Sequence, residues 1–407
     1  MILGSLDHQE TGPWATVSDD VLARLDLDTA QARGLPNAAF TDPSFHELER
    51  ARLFPRTWAF AAPASLVPEP GDVLPITVAG RPVFLARARD HSVRVFHNVC
   101  PHRGARLVTD ELHGKAVLTC PYHAWSYGLD GTLHGRPHYH GPKMHQTRCN
   151  SSPEEARLFE IRSETWHDWV FVNLDGRAGA FEEFIAPVVR EFDGHDLSVF
   201  RRSEDAMRFE FQSNWKLVVE NYCDFYHVFA VHPELDVAMS DEVRRAMWPG
   251  GCHMFNGYSF EGASSGISVE QADLDLPKQP GLRDDLANSM VFGLVFPNFA
   301  INVYPESVQA VLFEPVAHDR TIMHMWFYYV GDAARASQFS KQRARLYSDW
   351  AGLNAEDEGI CRRLQEGRTC EAYDGGRMAP YWDKGTIHYH RQIALAVRQE
   401  GAFAAGS

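Results

Sequence analysis

Two short claws constrain this chain more than any other feature: Cys100-Pro-His102-Arg-Gly and Cys120-Pro-Tyr-His123. Seventeen residues separate His102 from Cys120. Each claw offers one thiolate, a soft and strong iron ligand, and one imidazole, a neutral ligand. With both thiolates on one iron and both imidazoles on the other, the four residues would hold a mixed-ligand [2Fe–2S] cluster. Such a cluster has a higher potential than one held by four cysteines. Zinc also binds two Cys and two His, but zinc sites usually pair Cys with Cys and His with His along the chain. The claws therefore predict an iron–sulfur cluster at Cys100, His102, Cys120 and His123.

With 407 residues, 44% of them hydrophobic, the chain can bury a large core and form two or three domains. The net charge of −15 argues against a nucleic-acid partner, which would call for a basic face. Seven cysteines, an odd number scattered along the chain, do not read as a disulfide framework. No apolar run reaches the roughly 18 residues that span a bilayer. The start, MILGSLDHQETGPW, lacks a basic region followed by an apolar stretch, so a cytoplasmic location is expected.

Segments 72–78, 82–87, 93–98, 116–119 and 169–174 read as short strands between Pro and Gly turns, a small antiparallel β domain. A helix is expected over 42–60, ahead of it. Beyond Gly176, helices are expected over 181–192, 215–230 and 333–367. Strands are expected over 299–304, 310–314 and 322–329. The fold class is α+β: an arm at 1–41, a cluster domain at 42–178 with its leading helix, and a second domain at 179–407 built on an antiparallel sheet flanked by helices. The Ser-, Gln- and Asp-rich stretch 262–281 reads as a mobile loop.

The second domain carries a further constellation, Asp224-Phe-Tyr-His227-Val-Phe-Ala-Val-His232-Pro, near the end of an expected helix. Two such histidines with one carboxylate make the facial triad of non-haem Fe(II) oxygenases, which leaves coordination positions open. An isolated His pair would more often be ordinary core or surface. Here the order Asp-x2-His-x4-His follows the cysteine claws. Downstream, Glu356, Asp357 and Glu358 are three candidate carboxylates that spacing alone does not separate.

Taken together, the claws with Pro101, Arg103, Gly104, Pro121, Tyr122 and Trp125, the Asp-His-His run, and Glu356-Asp-x-x-Ile resemble the aromatic-ring-hydroxylating (Rieske) oxygenase α subunits over about residues 40 to 395. Asn298–Tyr304 and the 356–367 helix are also similar to choline-type monooxygenases. The resemblance implies a Rieske [2Fe–2S] cluster, a mononuclear Fe(II) held by His227, His232 and Asp357, and O2 as co-substrate. Asp224 corresponds to the family's bridging acid, expected to meet the cluster ligand His123 of a neighbouring subunit in a head-to-tail ring, a homotrimer with or without a small β subunit. No Gly-x-Gly-x-x-Gly nucleotide fingerprint is found, so electrons are expected from a separate reductase or ferredoxin, with NAD(P)H acting only through it.

The expected substrate is a small organic molecule, with an aromatic compound or aromatic acid preferred because Asp224 stands where choline-type enzymes tend to carry Glu. The alternatives are a quaternary ammonium compound in an aromatic cage, or a protein that only transfers electrons. Val219, Cys223, Phe229, Phe292, Phe299 and Asn302 are the expected pocket contributors.

Overall fold

Short runs of Val, Phe and Leu between Gly and Pro turns close into a small sheet that presents both claws. The computed structural model describes residues 12–144, 156–238, 246–259 and 275–398. Cys149 and most of the expected loop 262–281 lie outside them. Contacts divide the chain into two units, Ala59–Arg177 and the combination of Met1–Trp58 with Ala178–Ser407.

The Ala59–Arg177 unit contains β1 (Ala59–Pro63), β2 (Val73–Val78), β3 (Arg81–Arg87), β4 (Val93–His97), β5 (Val117–Thr119), β6 (Ser126–Gly128), β7 (Leu133–Gly135), β8 (Glu160–Trp166) and β9 (Trp169–Asn173). Six of them form a sheet in the order β1-β9-β8-β4-β3-β2, and β5-β6-β7 form a smaller one. The first claw follows β4, and the second is the loop joining β5 to β6. Phe84 and Phe96, cross-strand partners on β3 and β4, stack at 5.3 Å in a core that also buries Cys100, Cys120, Trp125 and Tyr127. Burial of this apolar surface fixes the β4 end from which the first claw springs.

The other unit is built on a seven-stranded antiparallel sheet ordered β10-β16-β15-β14-β13-β12-β11. Its strands are β10 (Phe200–Phe211), β11 (Trp248–Gly250), β12 (His253–Ser259), β13 (Ser289–Val295), β14 (Phe299–Val303), β15 (Ser307–Ala317) and β16 (Arg320–Val330). Every residue of β14 is buried on both faces, with Asn302 its one polar side chain. The helices Trp215–Cys223 and Ser340–Gly367 pack against each other, and the first also packs on β15. No helix among the described residues is long and apolar enough to cross a membrane.

Three details differ from the sequence reading. The helical segment expected to lead the cluster domain groups with the larger unit instead, through a buried ion pair between Glu49 and Lys216 at 2.7 Å. The helix expected over 215–230 stops at Cys223, because the Asp224 carboxylate accepts from the backbone N–H groups of Tyr226 at 2.7 Å and His227 at 3.1 Å. A side chain bonded to its own backbone in this way competes with helical hydrogen bonding. The long late helix begins at Ser340, after two short 3-10 turns, rather than at 333.

Candidate metal centres

Each claw is built by the same turn. In the first, the Cys100 N–H donates to the Ala105 carbonyl at 2.7 Å and the Gly104 N–H donates to the Cys100 carbonyl at 3.0 Å. In the second, Cys120 N–H to Trp125 C=O is 2.7 Å and Ala124 N–H to Cys120 C=O is 3.0 Å. Both turns need a left-handed residue four places after the cysteine, supplied by Gly104 (φ 75°) and Ala124 (φ 55°). The first loop is clamped by buried Asn98, whose side chain accepts from the N–H groups of Leu107 and Val108 and donates to the Val108 carbonyl.

The donors converge. Cys100 and Cys120 are buried, and the His102 and His123 rings lie 4.6 Å apart, with His102 stacked on Trp125 at 4.5 Å. The Nδ1 atoms of both histidines are shielded from solvent and have no hydrogen-bond partner. Orphaned shielded nitrogens are costly unless something binds them. Two sheltered thiols beside them complete a donor set that fits a [2Fe–2S] cluster ligated through both Nδ1 atoms. The Tyr127 hydroxyl lies 3.2 Å from Cys100 Sγ, placed to donate to a thiolate there. Burial raises the Cys100 thiol above its ordinary value, so a positive centre is needed to hold it ionised.

In the larger unit, one donor atom from each of His227, His232 and Asp357 lies within 4.8 Å of the others. Both histidines aim Nε2 at the same oxygen, Asp357 Oδ1, at 3.5 Å from His227 and 2.9 Å from His232. Donors about 2.1 Å from a first-row metal stand about 3 Å apart on one face, so these spacings fit a single ion. Burial works against both charges. Hydrogen bonds and charge from Asp224 and Asp357 nonetheless raise His227 to about 9. Hydrogen bonds from the two histidines hold Asp357 down at about 2. The cluster of side chains thus favours a positive charge at its centre.

The Asp224 carboxylate that breaks the helix also approaches His227 Nδ1, at 3.1 Å, fixing that ring. Glu356 does the same for His232, Oε2 to Nδ1 at 2.6 Å. Spacing had left Glu356 as one of three candidate carboxylates, with no role of its own. The family resemblance had selected Asp357, which is mostly buried, and nothing in the spacing marked Glu356 as a partner of a residue 124 positions earlier.

Two family models match the segments that carry these residues. Residues 57–149 match the Rieske [2Fe-2S] domain, and residues 199–399 match the ring hydroxylating alpha subunit catalytic domain. The carnitine monooxygenase oxygenase subunit of Escherichia coli (strain K12) is 27% identical over 386 residues, covering 89% of this chain and 94% of the relative. The chloroplastic choline monooxygenase of Amaranthus tricolor is 25% identical, covering 87% and 76%. Among solved structures, a quaternary ammonium Rieske monooxygenase overlays with a TM-score of 0.75 at 21% identity, over 93% of this chain and 98% of that one. Naphthalene 1,2-dioxygenase from Rhodococcus sp. overlays with a TM-score of 0.74 at 18% identity, over 96% and 99%.

This chain belongs to the Rieske non-haem iron oxygenase α subunits. The family's cofactors are a Rieske cluster and a mononuclear iron that works with O2. The oxygenase has a cleft beside the triad, with about 540 Å3 of atom-free space that includes its open mouth. Its walls are Tyr222, Phe225, Tyr258, Phe292, Tyr304 and Trp350, together with the triad, Asp224 and a few aliphatic and amide side chains. Of the expected contributors, Phe292 and Asn302 line it. Val219, Cys223 and Phe299 are instead packed into the core, and Phe229 is 61% exposed. Those core residues lie on the helix and sheet that build the cleft, but on faces that close against neighbouring elements.

Proposed function

We propose that this oxygenase oxidises a small organic cation bearing a quaternary ammonium group. The observation that carries the reading is the chemistry of the cleft: six aromatic rings, two carboxylates at Asp224 and Asp357, and no Lys or Arg among the described lining residues. Aromatic faces attract quaternary ammonium ions, by about 2 kcal/mol or more where water is excluded. An aromatic acid would find no Lys or Arg among the described lining residues to pair its carboxylate away from the metal. The sequence reading preferred an aromatic substrate; the cleft and the similarity to carnitine and choline monooxygenases favour its alternative.

In this reading Cys100 and Cys120 hold one iron of the cluster, while His102 and His123 hold the other. His227, His232 and Asp357 hold the mononuclear Fe(II), which supplies O2 activation when bound. Electrons enter at the cluster from a separate reductase. O2, two electrons and two protons convert one substrate C–H bond to C–OH and release water. On a carbon attached to the ammonium nitrogen, that product collapses: the hydroxyl loses its proton, a C=O bond forms, and the tertiary amine leaves with the C–N electron pair. The aromatic walls orient the cation and exclude water.

A head-to-tail homotrimer would bring one chain's His123 to its neighbour's Asp224. The partly exposed Asp224 and the exposed rings of Tyr226, Phe229 and Tyr381 in the larger unit offer a surface for that contact.

The test is a product screen with a reductase, comparing choline, glycine betaine and carnitine with benzoate and naphthalene. Turnover confined to the ammonium compounds supports the reading. Turnover confined to the arenes would return the assignment to a ring hydroxylase.

A further inference from the structure

We infer that Glu356 is a positioning residue for the mononuclear metal site, holding the His232 ring by Nδ1 so that Nε2 is presented to the metal. The inference rests on reading His227, His232 and Asp357 as the metal ligands. Glu356 and Asp357 are consecutive on the helix Ser340–Gly367, yet they grip opposite nitrogens of one imidazole. Glu356 Oε2 lies 2.6 Å from Nδ1, and Asp357 Oδ1 lies 2.9 Å from Nε2.

A histidine that binds a metal through one nitrogen must carry its proton on the other, and the group accepting that proton selects the tautomer. His232 has a side chain only 4% exposed, so water cannot readily do this in place of a protein group. The carboxylate of Glu356 accepts at Nδ1, which leaves the Nε2 lone pair directed at the site.

His227 has its own carboxylate, Asp224, but the two are built differently. Asp224 lies three residues before His227 and is fixed by backbone N–H groups of the same turn. Glu356 comes from a distant helix and therefore also ties the segment Val228–His232 to the helix that carries Asp357. Glu358, two residues on, serves as the contrast: its carboxylate sits 4.0 Å from Arg362 one helical turn away, an ordinary surface pair.

The experiment is an anaerobic Co(II) titration of the full chain with its iron–sulfur cluster intact and its mononuclear site emptied by mild chelation, followed by ligand-field absorption. Wild type and Glu358→Ala are expected to bind one Co(II) with equal affinity. Glu356→Ala is expected to bind about 10- to 100-fold more weakly. Glu356→Gln, whose side-chain carbonyl still accepts from Nδ1–H, should fall between them. Cluster absorption and the melting curve report whether each variant is folded. Equal affinity in Glu356→Ala and wild type would overturn the positioning role alone. No Co(II) uptake by wild type would overturn the ligand assignment, and the inference with it.

Discussion

Both ring nitrogens of His253 are committed in the neutral form: Nδ1 accepts the Phe296 N–H at 3.2 Å, and Nε2–H donates to the Phe184 carbonyl at 2.6 Å. The side chain is fully buried, and burial is the main reason its pKa falls to about 4. The sign of the linkage follows. Below the unfolded value of 6.5 the unfolded chain takes up a proton that the folded chain refuses, so stability is complete above 6.5 and declines as the pH drops towards 4. At pH 5 the loss is on the order of 2 kcal/mol. Urea unfolding at pH 7.5 and pH 5 should show that loss in wild type and a smaller one in His253→Asn; equal losses would refute the assignment. His253 was not legible in the sequence, because its role depends on two backbone groups far away in the chain. The claws were legible for the opposite reason, since a metal specifies its donor atoms chemically and packs them into short local loops.

Between elements, the buried pair of Glu49 and Lys216 joins the segment preceding β1 to the helix Trp215–Cys223, and the Trp215 indole N–H donates to the same carboxylate at 3.0 Å. Both charged groups are removed from water, and each is tolerable only because of the other. Lys216→Met is expected to destabilise the larger unit by about 3–5 kcal/mol, because Glu49 is left buried without its cation. The double variant Glu49→Gln/Lys216→Met should recover most of that loss. Urea melts of the three proteins measure the coupling, and a double variant no better than the single one would contradict it. Sequence periodicity revealed the helical leader but not the unit it joins, since pairing across 167 positions leaves no local signal. The same limit explains why the end of the iron-site helix was placed too late. Apolar spacing continues through Phe225 and Val228, and only the backbone bonds of Asp224 interrupt it.

At the scale of the molecule, the antiparallel α+β class was readable, because the two metal motifs fall in regions of different pattern. What the sequence did not resolve was the substrate, since cleft walls come from side chains of helix and sheet that meet only on folding. The head-to-tail reading makes a prediction that neither unit makes alone. His227→Ala should abolish product formation while keeping the cluster's absorption, and Cys100→Ser should lose the cluster while keeping the triad. If electrons pass from one chain's cluster to its neighbour's iron, co-expression of the two inactive variants creates working junctions. Each junction needs an intact cluster on one side and an intact triad on the other. With random assembly into a closed ring, about a quarter of junctions qualify, so about a quarter of wild-type activity should return. Electron transfer confined within each chain would leave the mixture inactive, because no chain in it carries both sites.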